Sequence, residues 1–565
     1  MKRPGNWRHL SVVMLIGLTG LGTSGPVAAS PLDDYRASWE QQALKLQRNL
    51  DLGEPLGRNN VQKTHNSFNS SAYASLGSYH DPNQQYSLVD QLDMGIRALE
   101  LDVHYTMTPS FSKELLLCHG QANHVGCSSF DRRFEDGLKE IATWLRQPAN
   151  RQEVIILYLQ EHVDGQYDRA VEQLDRQMGD LIYRPQGCQT LPMNISRADV
   201  LNAGKQVLLV GGNCGNDNWA NRVFNYGYPT GNGSFQPYPA CRTGGHDRNF
   251  VLNNIVRIFE DSTMLSNLFS SPPPAITPEL MAQAMQCSLG VVGLDQVVPF
   301  DPRLRAAIWS WNQGEPNNWS GIEHCAEQAA NGRFNDLDCG AQRPFACLNE
   351  QTREWRVTQG AGNWQVGETT CEAEFGPSFQ FSVPKNGYMN QLLIEAKAAR
   401  GVDSVWLHYT DQGHEGDWRP VGQPQINPPA DGSPVVWRKL RNDQGKCLDL
   451  ERRKTADGTE IHQWRCHGAD SQLWWQDEYG MIHNKSAPDK CVDVANAGTG
   501  KGARITLWSC HGGANQIWLR SVSNSFRISN APGMALDIKD PFWGDGQRAH
   551  LWEFHGGKSQ RWSWD

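Results

Sequence analysis

The sequence predicts a multidomain protein, in which an α/β barrel is followed by β-rich segments and by a module built from three repeats. A chain of 565 residues is too long for a single hydrophobic core. Short apolar runs alternate with amphipathic stretches from residue 61 to about residue 310, which is typical of a parallel sheet with crossover helices. A different pattern then recurs three times over about the last 130 residues.

The apolar runs have the length of buried strands, and helical patterns separate them. The runs occupy residues 96–103, 115–118, 154–159, 207–210 and 291–297, and the amphipathic pieces include 134–145 and 167–181. A closed α/β barrel accounts most economically for this alternation.

The repeat has a period of 44 residues, and four separate sets of positions follow it. The sets are Gln-x-Trp at 472–474, 516–518 and 560–562, His-Gly at 467, 511 and 555, the residues Trp464, Trp508 and Trp552, and the residues Asp449, Asp493 and Asp537. A period of this size indicates one supersecondary unit used three times, with each copy burying its apolar face against the others.

Cysteines follow the same period in two of the three copies. Cys447 and Cys466 are 19 residues apart, as are Cys491 and Cys510, so each pair is expected to form a disulfide within its copy. The third copy has an apolar pair, Ala535 and Phe554, at these positions. Cys118 and Cys127 are close enough in the chain to bridge a loop.

The N-terminus and the cysteine content together predict a secreted protein. Lys2, Arg3 and Arg8 precede a short apolar run, and Val27-Ala28-Ala29 offers a small-residue cleavage site, so residues 1–29 are expected to be a signal peptide. Fourteen cysteines in an exported chain favour disulfides. A net charge of −9 without a Lys- or Arg-rich run argues against a nucleic-acid partner.

Shifts in composition divide the rest of the chain. We predict the barrel over 30–307, a segment rich in Trp, Asn, Gly and Cys over 308–350, a β-rich linker domain over 351–434 and the repeat module over 435–565.

Polar clusters stand at the ends of three predicted strands of the barrel. They are Thr64-His65-Asn66-Ser67-Phe68, the alternating pair Glu100 and Asp102, and Cys118-His119-Gly120. Active residues of barrel enzymes lie at the carboxyl ends of strands, and two histidines there suit acid–base catalysis. Two carboxylates on one strand face, with an asparagine nearby, suit Ca²⁺, and Mg²⁺ less well. Each cluster alone also has an ordinary structural explanation as a loop histidine, a solvated strand face or a turn.

In order and spacing, these clusters resemble the catalytic X region of phosphatidylinositol-specific phospholipase C. The resemblance covers residues 55–310, includes the run Gln91–Asp102, and is closest to the secreted, metal-dependent branch. It implies a distorted TIM-type α/β barrel that cleaves a phosphodiester. His65 and His119 match the two family histidines, with His65 assigned as base and His119 as acid.

The resemblance also implies a metal site and its ligands. Asn66, Glu100 and Asp102 match the family's metal ligands, and a further acidic ligand is expected at the end of the next strand. Gln160 stands at that point and Glu161 follows it, so this chain departs from the pattern there.

Other polar residues of the barrel receive secondary assignments. Arg97 and Lys205 are weaker candidates for binding the phosphate oxygens, and His104 and His162 are expected to be structural.

The repeat module resembles the ricin B-type β-trefoil lectin. In that family the Gln and Trp of Gln-x-Trp belong mainly to the core, and the sugar site uses an early Asp, an aromatic ring and a late Asn. Asp493, Trp508 and Asn515 match this set in full. The other copies keep Asp449 with Trp464 and Asp537 with Trp552, but have Ser471 and Ser559 in place of the Asn. The alternative is a structural trefoil that binds nothing.

Residues 308–348 resemble the second half of a C-type lectin domain, while its front half is not recognisable. Glu315-Pro316-Asn317 and Asn335-Asp336 match the calcium- and sugar-binding residues of that family, and the resemblance implies a Cys325–Cys339 disulfide. A structural cap that closes the barrel is the alternative.

The sequence therefore predicts a secreted, Ca²⁺-dependent phosphodiesterase that cleaves a phosphoinositide-type headgroup. Lectin modules would hold it on glycans, and it would contact the membrane surface transiently. A glycan-binding protein with an inactive barrel is one alternative, and a phosphodiesterase acting on another lipid or on a glycerophosphodiester is another.

Overall fold

The structure of the protein is a computed structural model. It describes residues 30–75, 77–231, 234–264, 272–412, 415–420, 437–477, 480–510, 513–520, 524–540 and 544–564. The predicted signal peptide over residues 1–29 lies outside the described residues.

The N-terminal part contains a curled, mostly parallel sheet. Its strands are β1 (Val61–Thr64), β2 (Ala98–Met107), β3 (Lys113–Leu117), β4 (Ile155–His162), β5 (Val207–Gly211), β6 (Phe224–Asn225), β7 (Arg257–Phe259) and β8 (Val291–Leu294). They are ordered β6-β5-β4-β2-β1-β8-β7, and β3 forms an antiparallel hairpin with β2. After β6, a single parallel bridge joins Thr230 to Arg257 of β7, so the two edges of the sheet approach each other. The predicted α/β barrel is confirmed in this open, distorted form.

Helices cover the outer face of the curled sheet and precede it in the chain. They are α1 (Pro31–Arg36), α2 (Trp39–Leu50), α3 (Leu88–Asp93), α4 (Phe134–Leu145), α5 (Tyr167–Met178), α6 (Arg197–Asn202), α7 (Asp217–Ala220), α8 (Arg248–Val251), α9 (Pro278–Gln286) and α10 (Pro302–Ala306).

Strand β2 shows why the inner surface of the sheet is polar. Successive strand residues point to opposite faces. Leu99, Leu101 and Val103 join the apolar core, while Glu100 and Asp102 alternate with them and are buried on the other face. The apolar face is packed by helices, which leaves the inner face for chemistry.

Residues 308–420 form one unit, in contrast to the predicted division at residue 350. Its elements are β9 (Glu323–Gln328), β10 (Phe334–Asp338), β11 (Ala346–Asn349), β12 (Glu354–Val357), α11 (Gly367–Phe375), β13 (Gln380–Phe381), α12 (Gly387–Arg400), β14 (Val405–Thr410) and β15 (Arg419–Pro420). Strand β14 pairs with β9, β13 pairs with β11, and a disulfide joins Cys347 to Cys371. Two helices, α11 and α12, accompany the strands of the predicted linker domain.

This unit shares its apolar core with the barrel. A single cluster of buried side chains extends from Leu32 in α1 to Trp418. Gln47 of α2 accepts hydrogen bonds from the backbone N–H groups of Trp309 and Ser310, at 2.8 and 3.2 Å. At the start of α12, a Cβ on Gly387 would lie 2.1 Å from the carbonyl oxygen of Met285, so only glycine permits this approach to α9.

The C-terminal module has the predicted threefold repetition, with four strands in each copy. The strands are β16 (Arg438–Asn442), β17 (Lys446–Leu450), β18 (Thr459–Arg465), β19 (Leu473–Gln476), β20 (Ile482–Asn484), β21 (Ala487–Val494), β22 (Ile505–Ser509), β23 (Trp518–Arg520), β24 (Phe526–Ile528), β25 (Ala531–Ile538), β26 (Ala549–Glu553) and β27 (Trp562–Trp564). Equivalent hairpins have equivalent registers: Cys447 opposite Trp464, Cys491 opposite Trp508, and Ala535 opposite Trp552. The module has its own apolar core, as a β-trefoil requires.

All cysteines of the chain are paired. The bonds are Cys118–Cys127, Cys188–Cys214, Cys241–Cys287, Cys325–Cys339, Cys347–Cys371, Cys447–Cys466 and Cys491–Cys510. The four predicted pairs are among them. Within the part of the chain that the structure describes, no helix combines the length and the apolar character needed to cross a membrane.

Candidate functional site

The predicted catalytic residues meet at the carboxyl edge of the curled sheet. His65 follows β1, Glu100 and Asp102 lie in β2, and His119 follows β3. Because β1 and β2 are parallel, with Lys63 beside Ala98, His65 and Glu100 reach the same level of the sheet. Asn66 has a left-handed backbone (φ 43°), which asparagine tolerates and which turns the chain directly after the strand.

His65 lies against a buried carboxylate that follows β8. Its Nδ1 is 3.3 Å from Oδ1 of Asp295, whose side chain is 1% exposed. The ring of Phe259 contacts the imidazole at a centroid distance of 5.0 Å. An aspartate on Nδ1 fixes the imidazole and leaves Nε2 to exchange a proton with a substrate.

Two asparagines connect His65 to His119. The Asn69 side-chain amide lies 3.2 Å from Nδ1 of His119 and donates to Oδ1 of Asn83 at 2.7 Å. Asn83 in turn donates to Asp295 at 2.9 Å and lies 3.5 Å from Nδ1 of His65. The histidines thus face one site through a shared polar network.

The Cys-His-Gly motif positions His119 beside a disulfide. A Cβ on Gly120 would lie 2.9 Å from the Sγ atoms of both Cys118 and Cys127, so the bond packs directly on the glycine backbone. Burial lowers the pKa of His119, and the neighbouring His65 lowers it further.

Glu100 is surrounded by the protein's own cations. Lys63, which is fully buried, forms an ion pair with its carboxylate, and Nη1 of Arg257 lies 3.3 Å from Oε1. The backbone N–H of Asn66 donates to the other oxygen at 3.4 Å. Burial alone would raise the pKa of Glu100, but its charged neighbours, Lys63 first among them, lower it to about 2.

Asp102 is buried beside Glu100, and its Oδ1 has no hydrogen-bond partner. Burial and the Glu100 charge raise its pKa well above the usual range. When both carboxylates are ionised, Lys63 and Arg257 balance their charges, so a divalent cation would add two positive charges to a buried cluster that already has its own counter-ions. The residues at the predicted calcium site therefore fit such an ion poorly.

The residues at the end of β4, where this chain departs from the family pattern, also argue against a metal ion at the acidic pair. Gln160 is exposed, and its amide lies 3.3 Å from His162. Glu161 is hydrogen-bonded to Asn213, and burial raises its pKa to about 7. Because Asp102 pairs in register with Gln160, Glu161 alternates to the other face of β4 and supplies no ligand to the acidic pair.

The structure contradicts the phosphate-binding roles predicted for Arg97 and Lys205. Arg97 precedes β2 at the amino edge of the sheet, where it forms two hydrogen bonds of 2.7 and 2.8 Å with Glu153. Lys205 precedes β5 at the same edge and donates to the carbonyl oxygen of Asp180. Both cations lie at the end of the parallel strands opposite the histidines.

His104 and His162 form a separate histidine cluster. Nδ1 of His104 lies 3.0 Å from Nδ1 of His124, and the His104 and His162 rings are 4.5 Å apart. Burial lowers the pKa of His104 to about 3, with His162 and His124 adding to the effect. A neutral, buried imidazole agrees with the structural role predicted for it.

Several site residues were missed from the sequence. Asn69, Asn83 and Arg257 had no recognised motif. Asp295 directly follows a buried apolar strand, which is the same signal that identified His65 and His119. Asp261, which follows β7, gives a carboxylate oxygen within 4.8 Å of ligand atoms of His65 and Asp295.

In the trefoil, the tryptophans divide into a buried set and a set at the surface. Trp474, Trp518 and Trp562 are fully buried, whereas Trp508 is 43% and Trp552 37% exposed. The first set serves the core and the second is available to a ligand.

The three predicted sugar sites differ in their hydrogen bonds. In the second copy, Asn515 donates to Asp493 at 2.8 Å, as the full residue set requires. In the first, Asp449 accepts from Gln472 and contacts His467, and its Oδ1 is buried without a partner.

In the third copy, Asp537 accepts from Gln560 at 3.1 Å and lies 3.4 Å from Nε2 of His555. The rings of His550 and Trp552 stack at 5.1 Å. A cavity of about 670 Å³ opens beside them.

Acidic and amide side chains lie close together in the loop that contains Glu315, within the 308–420 unit. Asn317 donates its side-chain amide to Glu315 at 2.8 Å, and the backbone N–H groups of Asn317 and Asn318 hold Asp336. Oε2 of Glu315 is buried without a partner. Burial and the neighbouring Asp336 raise the pKa of Glu315 to about 7. Asn335 and Glu323 lie on the adjacent strands, and oxygen donors of these types are the ones that Ca²⁺ prefers.

Comparisons with known proteins agree with this architecture. Residues 24–301 match the family model described as the Rv2075c PI-PLC-like domain, and residues 436–562 match the ricin-type beta-trefoil lectin domain. The uncharacterized protein Rv2075c of Mycobacterium tuberculosis is 33% identical over 411 residues, which cover 68% of this chain and 82% of that protein. Collectin-10 of Xenopus tropicalis is 47% identical over 38 residues, 7% of this chain and 14% of that protein.

Among solved structures, the C-half of an earthworm R-type lectin, determined in complex with GalNAc, is 23% identical, with a TM-score of 0.21. The match covers 23% of this chain and 98% of the lectin. The chain therefore belongs to the Rv2075c PI-PLC-like family and carries a ricin-type β-trefoil lectin domain over residues 436–562.

Proposed function

We propose that the protein is a secreted phosphodiesterase that removes the headgroup of a phosphoinositide-type phospholipid and is held near its substrate by glycan binding. The observation that carries the proposal is the convergence of His65 and His119 on one site through Asn69 and Asn83. The PI-PLC-like domain supplies the reaction class.

The reaction follows from two positioned imidazoles. Nε2 of His65, oriented by Asp295, accepts the proton of the attacking hydroxyl, which belongs to the substrate's headgroup or to water. The new P–O bond forms as the bond from phosphorus to the lipid alcohol breaks, and His119 gives its proton to the departing oxygen. N–H groups around the site stabilise the negative charge that develops on the non-bridging oxygens of the phosphate.

Hydrolysis by the full-length protein tests this proposal. Phosphatidylinositol, phosphatidylcholine, a glycerophosphodiester and a soluble chromogenic phosphodiester form the panel, with His65→Ala and His119→Ala as matched variants. We expect turnover of the inositol lipid to exceed that of the other substrates. Each variant is expected to lose at least roughly a hundredfold of the hydrolytic activity. A wild type that hydrolyses none of the four would favour a glycan-binding protein with an inactive barrel.

Glycan binding is proposed for the trefoil. The surface rings of Trp508 and Trp552 suit stacking on the apolar face of a sugar, and the paired Asp493 and Asn515 suit its hydroxyls. Binding there raises the local concentration of substrate and leaves the chemistry of the barrel unchanged. The seven disulfides support an extracellular location.

A second binding function is proposed for residues 308–420. We propose that α11, α12 and β14, which follow the acidic loop in the chain, take the place of the front half that the sequence pattern lacked. The β14–β9 pairing and the Cys347–Cys371 bond join these elements to the segment that contains the loop. Glu315, Asn317, Glu323, Asn335 and Asp336 would hold the calcium ion, whose chemistry is to fix a sugar's hydroxyl oxygens.

A further inference from the structure

The three copies of the trefoil differ in charge at equivalent positions around their sugar-binding surfaces. Three such positions are Glu451, Glu460 and Asp470 in the first copy, Ala495, Arg504 and Ala514 in the second, and Lys539, Arg548 and Lys558 in the third. The first copy is therefore acidic and the third is basic at all three. These positions lie outside the core of the trefoil.

The basic positions of the third copy line the cavity of about 670 Å³ beside Asp537 and Trp552. Arg504 from the second copy also lines it, so four cationic side chains face this space. Its volume lies in the range that small-molecule sites occupy.

Three carboxylates also line the cavity, those of Glu460, Asp537 and the exposed Asp540, and the first two are ion-paired or hydrogen-bonded. Glu460 is paired with Arg504 and lies 3.7 Å from Arg548. Asp537 is buried and accepts from Gln560. Among the described residues, no ion pair is found for Lys539 or Lys558, so their charges face solvent and the cavity.

The neutral-sugar residue set is also altered here. In the second copy, an Asn515 amide beside Asp493 completes that set, but the third copy has Ser559, whose side chain hydrogen-bonds to Asp537. The stacked His550 and Trp552 rings keep a flat surface for a pyranose. The third copy thus retains an aromatic platform and replaces part of its hydroxyl-binding groups with cations.

We propose that the third copy binds an anionic saccharide, that is, a sugar that carries a sulfate, carboxylate or phosphate group. This inference rests on the proposed glycan-binding function. The pyranose stacks on Trp552, and Lys539, Arg548 and Lys558 hold the anionic group. The second copy, by contrast, takes a neutral sugar.

Calorimetric titration of the full-length protein tests this inference, with galactose, galactose 6-sulfate, glucuronic acid and glucose 6-phosphate as probes. We expect at least one anionic sugar to bind ten times more tightly than galactose at low salt, with the difference shrinking as salt screens the cations. The three anionic probes separate sulfate, carboxylate and phosphate sources.

The double variant Lys539→Ala/Lys558→Ala is expected to lower the affinity for the anionic sugar to that for galactose. The control Lys454→Ala/Lys485→Ala removes two lysines that do not line the cavity and should bind as the wild type does. The converse variant, Ala495→Lys/Ala514→Lys, places the third copy's charges on the second copy and should create a second anionic site.

Equal affinities for neutral and anionic sugars, or a Lys539/Lys558 variant that binds normally, would overturn the inference while leaving glycan binding intact. If no saccharide binds, both the inference and the proposed glycan-binding function fail.

Discussion

Nδ1 of His65 and Oδ1 of Asp295 lie 3.3 Å apart, although 230 residues separate them in the chain. The parallel pairing of β1 with β8 brings them together, because His65 and Asp295 each directly follow their strand. The carboxylate is almost fully buried and also accepts from Asn83 and from Ser262. The position of this carboxylate is therefore fixed by groups of the protein and does not depend on a bound substrate.

Replacing this carboxylate with an amide should reduce turnover while leaving the fold intact. Asp295→Asn keeps the size of the side chain but no longer fixes the imidazole tautomer, so we expect kcat to fall at least roughly a hundredfold with little change in KM. Steady-state kinetics checks this, and Asp93→Asn, whose carboxylate pairs with Arg36 away from the site, is the control. Near-normal kcat in Asp295→Asn would exclude Asp295 as a positioning residue.

The lowered pKa of His119 predicts an acidic pH optimum. A general acid must be protonated in the free enzyme, and burial and His65 shift the pKa of His119 below 6.5. We therefore expect kcat/KM to decline as the pH rises through the lowered pKa of His119, with activity at pH 8 well below that at pH 6. A profile on a soluble phosphodiester from pH 4 to pH 9 decides the matter. Activity that rises through the same range would exchange the acid and base assignments.

Turnover should not require a divalent cation. Lys63 and Arg257 already neutralise the acidic pair in β2, so a chelator should leave kcat on a soluble substrate within about twofold. Arg257→Gln removes one of these cations and should reduce turnover at least tenfold, whereas the more exposed Arg184→Gln should not. Loss of activity in chelator, restored by Ca²⁺, would show that the ion competes successfully with the fixed cations.

Two tryptophans that occupy consecutive strands of the same copy should behave oppositely on truncation. Trp518 is fully buried, so Trp518→Ala should destabilise the trefoil by about 3–5 kcal/mol. Trp508→Ala should change stability by no more than about 0.5 kcal/mol but weaken sugar binding at least tenfold. Thermal unfolding and calorimetric titration separate the two effects. Equal destabilisation by both changes would mean that Trp508 belongs to the core.

Calcium should bind at the acidic loop of the 308–420 unit and not in the barrel. We expect one calcium ion per chain by calorimetry, with binding lost in Glu315→Gln and unchanged in Glu100→Gln. A Glu315→Gln variant that still binds one ion, together with a Glu100→Gln variant that binds none, would reverse the assignment.

Most of the barrel and the whole repeat could be predicted from the sequence, because strand length, the alternation of strands with helices and the 44-residue period are local or periodic signals. Residues of the site were predictable where a motif followed a strand, as for His65 and His119, or where acidic residues alternated along one, as for Glu100. Asn83 lies in a loop without periodicity, so only the folded chain brings it to the histidines.

The assignment of two phosphate-binding cations had a clear physical weakness. Arg97 and Lys205 were chosen by residue type, although both precede their strands. In a parallel sheet that position lies at the edge opposite the active site. The contacts of α11 and α12 with residues that come earlier in the chain could not be predicted, because composition carries no record of that pairing.

The continuous core from Leu32 to Trp418 limits how this protein can be divided or recombined. A fragment ending at residue 307 would expose the apolar faces of α2 and α9 that pack against the 308–420 unit. The barrel is therefore not expected to fold stably without that unit. The trefoil, whose interior is its own, can be exchanged for another targeting module. Relatives of this protein should therefore differ more readily in their C-terminal targeting module than in the barrel and the 308–420 unit that packs against it.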